Sequence, residues 1–111
     1  MTVSLDNYLK EKYPDIEGTY TIDEEQMVNN KENWLQSNGE NAIWYTNTSN
    51  AWNIGPKKFL GTPIPGIYGM ISTDNSLGAI LPHQIDCWKY WKGDHWATSN
   101  NVNVMGFDFV T

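Results

Sequence analysis

The chain has 111 residues, with seven lysines and no arginine against thirteen acidic side chains, for a formal net charge of −6. With scattered lysines and no guanidinium to fork onto phosphate or guanine, a nucleic-acid-binding role has little electrostatic support. A single cysteine excludes an intramolecular disulfide, and 40% hydrophobic with 18% charged residues describes one folded domain rather than a disordered segment.

In chain order, Ser4 is placed to cap a short helix whose apolar face is Leu5, Tyr8 and Leu9, with Asp6 in its first turn. Lys10 and Lys12 complete its last turn, and Tyr13-Pro14 ends it, because proline disfavours the helical conformation of the residue before it. At roughly ten residues such a helix is stable only when docked. After Gly18 the pattern turns to strands. Thr19–Ile22 alternates, an acidic and Asn-rich loop follows to Asn30, and Asn33–Gln36 runs into a Ser37-Asn38-Gly39 hairpin turn. Ala42–Thr46 and Ala51–Ile54 are the next strands, joined by the polar turn 47–50 and stopped at Gly55-Pro56.

The prolines of Gly61–Gly66 exclude a central strand there. Ile67–Ile71 reads as a strand, 73–76 as a turn, and 77–82 has no assignable pattern. Asp86–Trp91 and His95–Ala97 form strands around Lys92-Gly93-Asp94, and Asn100-Asn101 turns into a last strand, Val102–Val110. Seven or eight short strands at this spacing predict an all-β, antiparallel meander forming a small barrel or sandwich, with the short N-terminal helix capping one end. One domain is expected over residues 1–111, with the helix and its connector at 1–16 and the β domain at 17–111.

Candidate chemistry is sparse. His83, Cys87 and His95 with Asp86 or Asp94 could contribute metal ligands, but their spacing matches no zinc pattern, so no metal site is expected. Nor is a cysteine nucleophile with His83 or His95 as its base: Cys87 sits in an acidic chain, inside a predicted strand beside Trp88, whereas such chemistry needs a positive neighbourhood. Asp23-Glu24-Glu25 reads as a solvated loop, and Asp74-Asn75-Ser76 lacks the spacing of a calcium loop. In the sequence as given Met1 to Asp6 carries neither a basic nor an apolar signal region, so the sequon Asn47-Thr48-Ser49 is expected to be a chance match. No run approaches membrane-spanning length. The expectation is a chain with no cofactor, no membrane partner and, by default, a cytoplasmic location.

The aromatic residues are what remain: six tryptophans, six tyrosines and three phenylalanines. Trp44 and Trp52, and again Trp88 and Trp96, are eight apart across a turn, a spacing that suits two hairpins pairing aromatics across strands. Some of them must fill the core, and alternation sets Trp44 against Tyr45 and Trp88 against Trp91 on opposite faces. Trp52, Trp91 and Trp96 lie next to turns and are the candidate ligand-binding residues, for a protein or a glycan. The alternative is a small-ligand-binding or enzymatic barrel with His83, His95 and Asp94 at its mouth.

Gly18-Thr19-Tyr20, Asn38-Gly39, Ile43-Trp44-Tyr45, Trp52-Asn53-Ile54-Gly55, Trp88-Lys89-Tyr90 and Trp96 follow one another in an order that resembles a small tryptophan-rich β module of uncharacterised marine protist and invertebrate proteins. The resemblance spans about residues 17 to 97. It implies a β fold and carries no activity with it.

Overall fold

The computed structural model describes residues 1–37, 39–73 and 81–106. Nine strand segments, β1 (Thr2–Leu5), β2 (Gly18–Ile22), β3 (Trp34–Gln36), β4 (Asn41–Thr46), β5 (Ala51–Pro56), β6 (Met70–Ser72), β7 (Trp88–Trp91), β8 (Trp96–Ser99) and β9 (Val102–Met105), form one sheet. Among the described residues one α-helix, α1 (Asn7–Lys12), follows β1. The sheet order is β8-β7-β6-β5-β4-β3-β2-β1-β9, with every pairing antiparallel.

This order closes the sheet on itself. Six antiparallel steps separate β1 from β7, so β8 and β9, each antiparallel to its one neighbour, run in the same direction. Only Asn100 and Asn101 lie between them. They are two halves of one bent strand, the first paired to β7 and the second to β1. Asn100-Asn101 is therefore a bend that changes partners, where the sequence predicts a reversing turn. Eight staves surround a nearly closed barrel, a number whose interior is just wide enough to be filled by side chains.

The N-terminus differs from its expected form. Thr2–Leu5 is a strand paired to both β2 and β9, and Ser4 lies within it. The cap is Asp6, whose carboxylate accepts the Leu9 N–H at 2.9 Å. Val3 and Leu5 alternate into the core, and the barrel needs a stave between β2 and β9, so tertiary pairing overrides the local helix signal. The helix shrinks to six residues and buries Leu9 against the barrel core. Other boundaries move as well. β6 begins at Met70, leaving Ile67 and Tyr68 in a turn, β7 begins at Trp88, β8 runs from Trp96 to Ser99 and leaves His95 in the turn, β3, β4 and β5 shift by one or two residues at an end, and a 3-10 turn occupies Pro82–Gln84. The tip at Asn38, the turn beginning at Asp74 and the far part of the expected Val102–Val110 strand lie outside the described residues.

Two cores result from the two faces of the sheet. Inside, Val3, Tyr20, Trp34, Ile43, Tyr45, Trp52, Ile54, Met70, Trp88, Val102 and Val104 pack as one cluster. Outside, Ala42, Trp44 and Ile64 form a second cluster, flanked by Val28, Leu35, Phe59, Leu60 and Ile71. The segment 57–69 is laid over the outer face of β4 and β5, which is why every residue of β4 is buried. Asn53 fastens it. Its amide oxygen accepts the Ile64 N–H at 3.1 Å, while its amide nitrogen donates to the Trp44 carbonyl at 3.2 Å and to Thr46 Oγ1 at 3.1 Å. Trp44 Nε1 donates to the Thr62 carbonyl at 2.9 Å. A buried polar group so fully paired adds specificity without the cost of an unmet hydrogen bond.

Candidate binding surface at the last hairpin

The six tryptophans divide cleanly. Trp44, Trp52 and Trp88 are 0% exposed and Trp34 is 7% exposed, whereas Trp91 and Trp96 are half-buried. Trp52 is thus a correction. It adjoins a turn, but its strand is central and its side chain points into the barrel, where it meets Tyr45 at 5.4 Å and Trp34 at 5.9 Å between ring centroids. Distance from a turn does not decide exposure when the face of the sheet does.

Trp91 and Trp96 face each other across the β7–β8 hairpin. Their ring centroids are 5.4 Å apart and their planes cross at 74°, an edge-to-face arrangement. The aromatic spacing therefore does pair rings across two hairpins, through Tyr45 with Trp52 and Trp91 with Trp96. The tryptophans eight apart are not those pairs, because each such couple straddles both faces. The hairpin is closed by the Lys92 N–H donating to the His95 carbonyl at 2.9 Å, and Gly93 takes a φ of +111° that strongly favours glycine.

The pair is braced from behind. β6 begins at Met70 and its antiparallel pairing reaches only to Lys89 on β7, so Trp91 N–H finds a partner elsewhere. That partner is the Tyr13 hydroxyl, which accepts from Trp91 N–H at 3.2 Å and donates to the Gly66 carbonyl at 3.1 Å. One phenol ties the end of α1, the 62–69 segment and β7 together. Burial raises the Tyr13 pKa above its usual value, against the opposing effect of the Trp91 N–H, with Tyr8 and Tyr90 adding smaller upward contributions. Gly66 lies directly under the Trp91 ring. A Cβ there would sit 2.6 Å from Trp91 Cβ and 2.9 Å from Cδ2.

From Gly66 the aromatic surface continues along a tight turn closed by the Tyr68 N–H donating to the Pro65 carbonyl at 2.9 Å. Ile67 is 66% exposed and Tyr68 41%, and Tyr68 meets Phe59 at 5.1 Å between centroids. The strip thus runs Trp96, Trp91, Ile67, Tyr68, Phe59. Sequence reasoning finds the first two and misses Tyr13, Gly66, Ile67 and Tyr68. Tyr13 reads only as a helix stop, and Ile67-Tyr68 only as the start of a strand.

The residues of the alternative reading fall on separate elements. Asp94 and His95 are neighbours in the exposed β7–β8 turn, with His95 Nδ1 2.6 Å from Asp94 Oδ1. His83 is exposed on the 3-10 turn at Pro82–Gln84, against Gly106, and shares no hydrogen bond with them. Cys87 is half-buried just before β7 rather than within it. The barrel axis is occupied by Tyr20, Trp34, Tyr45, Trp52 and Trp88. Among the described residues no three His, Cys, Asp or Glu side chains cluster as a metal site, and no helix is long and apolar enough to cross a membrane.

Compared with known proteins, the chain matches no family model, no curated protein and no solved structure.

Proposed function

We propose that this chain is a non-catalytic binding module whose ligand packs on the Trp91–Trp96 corner, and that the ligand is a glycan. The observation that carries the reading is the half-exposed, edge-to-face indole pair, with Trp91 packed on Gly66 and its backbone N–H bonded to the Tyr13 hydroxyl. Side chains already packed against each other lose less rotamer freedom on binding than isolated ones, which favours a site over a merely accessible surface. A pyranose ring offers a face of C–H groups that packs on one indole while its rim abuts the other, leaving hydroxyls for polar neighbours. Those neighbours are at hand in the exposed Lys92, Asp94 and His95 of the turn.

The test is a glycan array followed by tryptophan-fluorescence titration of each hit, with Trp96→Ala and Trp91→Ala as controls. Binding should perturb the indole emission and weaken by on the order of tenfold or more in either variant. Hits that bind both variants undiminished would overturn the proposal, as would an array with no hits beside a peptide library that does engage the two indoles.

A further inference from the structure

Away from Ile67 and Tyr68, the outer face of the last hairpin turns polar. In the β7–β8 register Trp91 stands opposite Trp96 and Lys89 opposite Thr98, and side chains opposite each other share a face. The buried Trp88 and the inward-packed Tyr90 take the other face, so the row beside the two indoles is Lys89 and the exposed Thr98. Asn100-Asn101 then shifts the alternation by one, as an extra residue in a strand does. Even-numbered residues face out in β8, whereas in β9 Val102 and Val104 are buried and Asn103 is exposed.

At that bend lies a cavity of ≈ 490 Å³, lined among others by Asp6 after β1, Asp86 before β7, and Asn100, Asn101 and Asn103. The side chains of Asp86, Asn100 and Asn103 bond to no other group among the described residues, so their acceptors and amide donors are open to a ligand. Sugar hydroxyls taken from water need such partners, whereas the Ile67 side chain at the other end of the indole pair supplies none. Two carboxylates against the single basic side chain of the lining, His83, disfavour an anionic substituent there.

We infer that the glycan is a neutral linear oligosaccharide laid along β8: one ring packs on Trp91 and Trp96, the chain passes Lys89 and Thr98, and its far end hydrogen-bonds in the cavity at the bend. The inference rests on the glycan-binding reading and names the class of glycan. At ~3.4 Å per residue of extended strand, Trp96 to Asn100 spans about 13 Å, so one ring on the indoles cannot reach the cavity and a chain of about three can. Trp91 and Trp96 are the anchor, and Asp86, Asn100 and Asn103 select for chain length.

Calorimetric and fluorescence titrations with three neutral series test it: β-linked glucose, β-linked mannose and α-linked glucose oligomers, each from the monosaccharide to the hexamer. Wild-type protein should bind the trimer and longer members of at least one series on the order of tenfold more tightly than its monosaccharide. That gain should fall towards unity in Asp86→Ala/Asn103→Ala and persist in Tyr68→Ala, which lies at the opposite end. Both residues of the cavity variant are exposed, and far-ultraviolet circular dichroism with the melting temperature establishes that each variant is folded. Equal binding of all lengths, a gain that survives in the folded cavity variant, or one lost in folded Tyr68→Ala would overturn the oligosaccharide inference while leaving the glycan-binding reading in place. If no series perturbs Trp91 or Trp96 at any length, both fall together.

Discussion

Tyr20 and the tryptophans show how single side chains set stability here. Tyr20 is buried, and its hydroxyl donates to the Ile16 carbonyl at 2.6 Å. Burial pushes its pKa well above the usual value near 10, in the same direction as that of Tyr13. The folded state then holds protons that the unfolded state gives up, so stability is complete below about pH 10 and is lost as pH rises beyond it. Melting temperatures followed from pH 8 to 12 should fall on the alkaline side, and Tyr20→Phe should make that fall shallower. At neutral pH the same substitution should cost about 0.5–1.5 kcal/mol for the lost hydrogen bond. The tryptophans separate by burial in the same way. Trp52→Ala should cost about 3–5 kcal/mol in urea unfolding, since it empties the middle of the barrel. Trp96→Ala should cost only about 0.5–1.5 kcal/mol, the worth of one edge-to-face contact at a half-open site.

Among the elements, the 57–69 segment does most to position the candidate site. It has little regular structure beyond a 3-10 turn at Lys57–Phe59, yet it covers the outer face of β4 and β5 and carries Gly66 beneath Trp91. Two glycines in and beside it should respond differently to alanine. At Gly66 the new methyl group meets Trp91 Cβ, Cγ and Cδ2, the end of the side chain anchored to β7, so Gly66→Ala has to displace Trp91 from the 62–69 segment, at a cost of about 1–3 kcal/mol. Its signature should be a weakened exciton signal from the Trp91–Trp96 pair in circular dichroism. At Gly69 the methyl group meets the Ile54 carbonyl oxygen, fixed in a central strand, so Gly69→Ala should be the more damaging of the two in thermal unfolding. The sequence signal for this element is limited to its prolines. They exclude a strand correctly, but nothing local says that the segment lies on an apolar face.

For the whole molecule the decisive contact is the longest in sequence. Thr2 pairs with Met105 and Leu5 with Val102, so the barrel closes by joining its first strand to its last described one. Loop-closure entropy is met before such a contact contributes anything, and folding of barrels of this kind falls in the range of milliseconds to seconds. Stopped-flow refolding should show that regime, and Val104→Ala should mainly speed unfolding if closure follows the transition state. A variant that instead slows refolding in proportion to its loss of stability would place closure in the nucleus. At this scale the expected antiparallel β fold and the observed one agree in class, and the radius of gyration of 12.7 Å is close to the roughly 13 Å expected of a chain this long.

The sequence by itself determined the strand-and-turn rhythm, the antiparallel meander and the two hairpins that pair aromatic rings, because period-two alternation and turn chemistry are local properties. It also located the Trp91–Trp96 end of the candidate site, since both residues flank an evident turn. Only the tertiary structure decided which tryptophans are inside. Alternation separates two faces, but β4 and β5 are buried on both, and polarity then ceases to mark the inner one. It alone decided that Thr2–Leu5 is a strand, that Asn100-Asn101 bends rather than reverses, and that Tyr13, Gly66 and Tyr68 come to lie beside the last hairpin. Those outcomes depend on partners up to a hundred residues away, whose contribution no local pattern records.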